Sequence, residues 1–252
     1  MIASLMMYQR PQLVDAHNRF WTLIREELAV AGIESPQQLS QDAEEFSVWE
    51  HPRLVLSQTC GMPYRLWLHG KVQLVGTPDY GIKGCPSGYY CSPIMVRADD
   101  KRTQVAQFAS AVFAYNQTFS QSGFAAPYNH LKSRGIWFEN LFHTGAHLAS
   151  AQAVAEGSAD ICALDAVSWR LMEEYEPFAK NLRVLAWTEP TPGLPYITAL
   201  ENDADAVFSA VAAAISRLED AHRKGLGIRG FVRIPAKDYL EITNPDVPQT
   251  HP

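Results

Sequence analysis

Long apolar runs are absent from this 252-residue chain. No stretch approaches the roughly 20 consecutive apolar residues of a membrane-spanning helix. Positive charge is scarce, with 21 Lys and Arg against 27 Asp and Glu and a formal net charge of -6. That balance excludes the basic footprint of a nucleic-acid binder and a polybasic membrane-surface segment. Cysteine is sparse too: Cys60, Cys85, Cys91 and Cys162 form no C-x-x-C pair, which argues against zinc and thioredoxin-type sites. Cys60, Cys85 and Cys91 lie in Gly- or Ser-rich loops and read either as thiols or, in an oxidising compartment, as disulfide partners. Three nucleophile and phosphate signatures are missing: G-x-S-x-G, G-x-x-x-x-G-K-[ST], and G-x-G-x-x-G after a strand. The start, "MIASLMMYQRPQL", has no basic or long apolar region and no small-residue cleavage site. A complete gene product of this sequence is expected in the cytoplasm, and a chain trimmed of an export signal in the periplasm.

What remains is an ordinary globular composition, 47% hydrophobic and 19% charged, with no internal repeat. Residues 2–7 read as a buried strand, and positions 14–31 place Ala16, Phe20, Leu23, Ile24, Leu28 and Ala31 on one helical face ended by Gly32. "RLVLSQTCG" reads as a strand into a polar turn, "MPYRLWLHG" as a short helix, and "KVQLVGTP" as a strand. This alternation predicts a parallel sheet covered by helices. "AVFAYN" predicts a strand and positions 122–134 a helix. Residues 139–146 read as a loop before a helix from about His147 to Glu156, the strand "ADICALD", and a helix from about Ala166 to Tyr175. Positions 203–222 predict one amphipathic helix broken by Gly225 and Gly227, and the tail predicts one short helix and a disordered end. The α/β organisation is two successive units with a return to the first, and strand-like crossings near residues 92–97 and 183–190.

Ligands of open α/β sheets bind beyond the carboxyl ends of strands. The residues there are Tyr8, the set Ser57, Gln58 and Thr59, Thr77, residues 120–123, His147 and Asp165. In "AYNQTFSQSGF", Ser120, Ser122 and Gly123 precede a helix. Unpaired N–H groups at a helix start, with serine hydroxyls and a glycine that permits close approach, can seat an anion without a cationic side chain. The alternative is that Ser120 or Ser122 only caps the helix. His147 reads as a structural histidine, a donor to an anion, or a catalytic base. A metal pair with His143 lacks a third ligand, so no metal is expected. Asp165 reads as a helix N-cap or as an acceptor for a ligand that carries an O–H or N–H.

"YNQTFSQSGF", "HTGAHLASAQAVAEGSADICALDAVSW" and "LRVLAWTEPTPGLPY", in this order, resemble the phosphate/phosphonate-type substrate-binding proteins of ABC transporters. "GYYCSPIMVR" resembles that family's crossing into its second lobe. The resemblance runs from about Ala3 to Phe231. It implies a two-lobed type II periplasmic-binding-protein fold with two crossing strands, lobe 1 from residues 1–91 and 188–252, lobe 2 from 92–187, and a ligand cleft closed by a hinge motion. It implies that Ser120, Ser122, Gly123 and His147 hold an oxyanion, with Asp165 nearby. Tyr8, Ser57, Gln58 and Thr59 would contribute from lobe 1, and Tyr8 and Tyr90 would pack the ligand's tail. The expected function is binding of a phosphonate or phosphate-like anion without catalysis or cofactor, by a monomer that feeds an ABC permease. The alternatives are a cytoplasmic enzyme or sensor of the same fold acting on a related anion, and a protein-interaction module.

Overall fold

The computed structural model describes residues 1–247 and 249–251. The strands are β1 (Ile2–Ser4), β2 (Leu54–Gln58), β3 (Val72–Asp79), β4 (Tyr89–Tyr90), β5 (Pro93–Arg97), β6 (Val112–Tyr115), β7 (Asn140–His143), β8 (Ile161–Ala163), β9 (Leu182–Trp187), β10 (Thr191–Pro192), β11 (Tyr196–Ala199) and β12 (Gly230–Val232). The α-helices are α1 (Val14–Val30), α2 (Glu45–Trp49), α3 (Gly61–Pro63), α4 (Ala126–Lys132), α5 (His147–Glu156), α6 (Ala166–Tyr175), α7 (Ala204–Arg217), α8 (Asp220–Leu226) and α9 (Ala236–Leu240). Wide π-type turns, Tyr64–Leu68 and Gln121–Ala125, extend α3 and precede α4.

The chain divides into two compact units. The first comprises Met1–Gly88, Pro192–Glu241 and residues 251–252; the second comprises Tyr89–Thr191 and Ile242–Thr250. In the first, the sheet order is β1-β2-β11-β3-β12. β1 and β2 are parallel, whereas β11 runs antiparallel to both β2 and β3. The sheet is therefore mixed rather than purely parallel: the returning chain inserts β11 between β2 and β3, so the two are not neighbours. Phe20, Leu23 and Ile24 of α1 pack with Leu56 of β2 and with Val207, Val211 and Ala214 of α7 in one core. These are the apolar positions of the 3.6-residue period, and their burial stabilises both helices more than propensity does.

The second unit has sheet order β7-β6-β8-β5-β9. β6 is parallel to β7 and β8, and β5 is antiparallel to β8 and β9. Residues 92–97 and 183–190, read as crossings, thus contribute strands that pair with each other inside this unit. β4 and β10 form a separate two-stranded sheet. One core joins Met95, Ala114, Cys162 and Leu164 to Ala151 and Val154 of α5 and to Trp169 and Met172 of α6.

Four local expectations are corrected. The first strand ends at Ser4, and a 3-10 turn, Met6–Tyr8, follows. Residues 139–146 are not all loop: β7 is an edge strand exposed at every position, so it carries no alternation to detect. The single helix over 203–222 is two helices. Leu218 adopts an extended ψ of 129° and buries its side chain, and Gly225 sits inside α8, which Gly227 ends at φ +74°. The end expected to be disordered includes positions 248 and 252, which lie outside the described residues. Among the described ones, the Thr243 carbonyl accepts from Asn129 Nδ2 at 2.7 Å, and His251 lies 4.7 Å from the Phe46 ring.

Candidate functional site

The polar positions read from the sequence fall into separate sets. In the first unit, Tyr8 is buried edge-on against Tyr80, with ring centroids 5.3 Å apart. Gln58 Nε2 donates to the Tyr80 hydroxyl at 3.4 Å and to the Leu194 carbonyl at 3.1 Å. Tyr8 and Gln58 are thus brought together through Tyr80. Ser57 and Gln58 lie inside β2 rather than in the turn after it, and the Ser57 hydroxyl is buried without a partner. The Thr59 N–H donates to the Pro195 carbonyl at 3.0 Å. The Thr77 hydroxyl bonds Tyr239 at 2.7 Å. A cavity of about 440 Å³ in this unit is lined by Tyr64, Leu74, Thr77 and Arg233 among others, and of the sequence-derived positions only Thr77 borders it.

The second unit assembles the Ser/Gly stretch with His147. β6 ends at Tyr115, and Ser120 opens the helical segment in extended conformation. Its hydroxyl accepts from the Gly123 N–H at 3.0 Å, so Ser120 is a helix cap. Ser122 Oγ lies 2.9 Å from His147 Nε2. The loop before α5 is pinned to the end of β6. The Tyr115 carbonyl accepts from the Thr144 N–H at 2.9 Å, and the Asn116 carbonyl accepts from the Gly145 N–H at 3.2 Å. The Thr144 and Ser150 hydroxyls close the first turn at 2.6 Å. The strand end therefore fixes where His147 stands relative to Ser122.

Burial pushes the His147 imidazole down to about 4, and the Ala163 backbone opposes that shift without cancelling it. The ring is neutral at pH 7. It makes Ser122 part of a neutral donor–acceptor pair, and the hydrogen-bond partners of Ser120, Ser122 and His147 are likewise uncharged. The pair is not a nucleophile–base–acid triad. Among the described residues no carboxylate partners Nδ1, and a base that is half protonated near pH 4 is poorly matched to work at pH 7.

Asp165 is a helix cap. One carboxylate oxygen accepts from the Val167 N–H at 2.7 Å and the Ser168 N–H at 2.9 Å. Tyr90 belongs to the β4–β10 pair and is buried. His143 stands on β7 with Nε2 3.2 Å from Gln117 Oε1.

Sequence reasoning missed Asn116, which follows the last residue of β6. Its Oδ1 is buried without a partner. It lies against Gly123, at less than van der Waals distance from where a β-carbon on residue 123 would stand. His147 Cε1 is 3.0 Å from that same point. The signal available was position alone: the first residue past a strand, before a Ser/Gly turn.

Residues 60–239 match the family model described as ABC transporter, phosphonate, periplasmic substrate-binding protein. No curated protein matches the sequence. Among solved structures, one similar in fold is PhnD1 from Prochlorococcus marinus in complex with methylphosphonate (TM-score 0.70, 16% identity, 94% of this chain and 93% of that one). Another is a binding protein component of an ABC phosphonate transporter from Pseudomonas aeruginosa (0.67, 14%, 95% and 82%). A third is XAC2383 from Xanthomonas citri bound to ATP (0.68, 17%, 95% and 93%). The fold is that of the two-lobed type II periplasmic-binding proteins. The family match covers well over half of the sequence, and the chain belongs to the phosphonate-type periplasmic substrate-binding proteins of ABC transporters.

Proposed function

We propose that this protein binds a small tetrahedral oxyanion, a phosphonate or phosphate-like compound, and delivers it to an ABC permease without chemical change. The observation that carries the reading is the Ser122–His147 contact of 2.9 Å beside the capped start of the helical segment at residue 121. The first N–H groups of a helix have no intrahelical partner and carry partial positive charge. The Gly123 N–H is taken up by the Ser120 cap, so the donors offered to an anion are the remaining N–H groups of the first turn and the Ser122 hydroxyl, the latter when His147 Nε2–H donates to it. Ser120 and Gly123 shape that seat, Ser120 by capping and Gly123 by leaving room for Asn116. The methylphosphonate bound to the Prochlorococcus relative supports the ligand class.

The test is a panel of methylphosphonate, inorganic phosphate, phosphite, methanesulfonate and ATP, read by thermal shift and calorimetry. A bound anion at a hundred times its Kd raises stability by about 2.7 kcal/mol. Absence of heat and of stabilisation with every member would overturn the reading. Turnover of any member would overturn the binding-only role.

A further inference from the structure

We infer that the cavity beside β3 in the first unit is a strand-addition site for a short extended peptide that ends in a free carboxylate. The inference does not depend on the oxyanion-binding reading.

β3 has two edges. Along one, β11 pairs with Val72, Gln73, Leu74 and Gly76. Along the other, β12 pairs only with Thr77, Pro78 and Asp79. β12 ends at Val232, and the chain turns through Arg233, Ile234 and Pro235 into α9 instead of following β3 further. Pro235 has no N–H to give to a ladder. Alternate residues of a strand turn their N–H and C=O to the same edge. Residues 73–76 therefore present backbone donors and acceptors to an edge that holds no strand among the described residues. The cavity of about 440 Å³ runs along these four residues and is walled on the far side by Ile234 and Pro235. That volume lies within the range of ligand pockets. Backbone groups facing such a space need partners. An extended peptide supplies N–H and C=O at the spacing of a strand.

Two side chains at the cavity indicate which end of a peptide it takes. Tyr64 lines it and is only 2% exposed. Its ring is held edge-on by His69 and Tyr239, with centroids 5.9 and 5.5 Å away. The Tyr64 hydroxyl makes no hydrogen bond among the described residues, yet it is not one of the polar atoms sealed from solvent. The cavity is its way to a partner. Burial pushes its ionisation up to about 12, so at pH 7 it keeps the proton and can donate it. Arg233 also lines the cavity. Its Nη2 lies 2.7 Å from Asp205 Oδ1, and the guanidinium carbon sits 4.1 Å over the Phe208 ring. Its Nε and Nη1 have no partner among the described residues. A carboxylate accepts from both a phenol and a guanidinium. The amino end of a peptide would find no acid among the lining residues. The Thr77 hydroxyl, by contrast, is spent on Tyr239.

The probe is acetyl-valyl-alanyl-valine, titrated into the full chain and read by calorimetry and by the backbone amide resonances of residues 73–76. The peptide is expected to bind with a millimolar or tighter Kd and to shift those resonances. Its C-terminal amide should bind about tenfold more weakly, since a charge-assisted contact is lost. Methylating the alanine nitrogen or the last valine nitrogen in turn should weaken one of the two peptides at least about tenfold, because alternate N–H groups face β3. Hexanoate, a carboxylate with an apolar body and no amide, should bind at least about tenfold more weakly than the peptide acid. Tyr64→Phe keeps the ring and should weaken the peptide acid about tenfold, with an unchanged response to methylphosphonate. If that variant does not fold, the peptide series on the wild type decides alone. No resonance shift at residues 73–76 with millimolar peptide overturns the inference. So does equal binding of both methylated peptides and the parent, or of hexanoate, which would make this a small-carboxylate pocket. None of these outcomes bears on the oxyanion reading.

Discussion

The side-chain oxygen of Asn116 fills the space into which residue 123 would project a β-carbon. Gly123 does not have a positive φ, so its requirement is for space rather than for a special backbone conformation. Even a methyl group there must displace Asn116 or push against His147 Cε1, 3.0 Å away. Gly123→Ala is expected to cost about 1–3 kcal/mol, the usual range for overpacking, and to remove anion binding. Urea denaturation and calorimetry measure the two effects. An alanine variant as stable as wild type and equally able to bind would show that Asn116 yields freely.

Ser122 and His147 should behave as a unit in the presence of ligand. The double variant Ser122→Ala/His147→Ala is expected to keep a cooperative melt, because no ion pair is lost. It should show no rise in Tm with methylphosphonate at concentrations that stabilise the wild type. Each single variant should retain part of the response, since the helix N–H groups remain. Full binding by the double variant would move the anion seat elsewhere.

Acid should destabilise the protein through its buried neutral histidines. His17 of α1 is buried, and burial holds its imidazole down to about 4, a shift that the Tyr8 backbone opposes without cancelling. In the unfolded chain it titrates near 6.5. Between those two values the unfolded state binds a proton that the folded state does not, so stability falls as pH drops from about 6.5 to 4 and is level above. The loss reaches about 3 kcal/mol for His17 at full shift. His147 adds in the same direction. Denaturant titrations at half-unit pH intervals should give a shallower dependence for His17→Leu by up to about one proton. An unchanged slope in that variant would mean that His17 titrates normally in the fold.

The helices were legible because their apolar periodicity and their caps are local. α5 and α6 end where the chain offers Gly157 and Glu176, and α6 begins at the Asp165 cap. The placement of β11 between β2 and β3 was not legible, since no local pattern says where a returning strand inserts. β7 escaped because an edge strand exposed on both faces has no alternation. At the site, Ser120, Ser122, Gly123 and His147 carried a chemical signal in their types and spacing. Asn116 did not: its meaning comes from Gly123 and His147 meeting it in space, seven and thirty-one residues further along the chain.

Asp165 offers a clean separation of structural and ligand roles. Its carboxylate accepts two N–H bonds at the start of α6, and an asparagine can accept both through its amide oxygen. Asp165→Ala should therefore cost about 0.5–2 kcal/mol in urea denaturation, while Asp165→Asn should lose only a small part of that. The same two variants report on binding. If the carboxylate acts only as a cap, Asp165→Asn leaves methylphosphonate affinity at the wild-type value. If its negative charge faces the bound anion, removing that charge tightens binding, and calorimetry reads the gain directly. The paired amide contacts favour the first outcome, because the carboxylate's charge is already drawn to the positive end of α6.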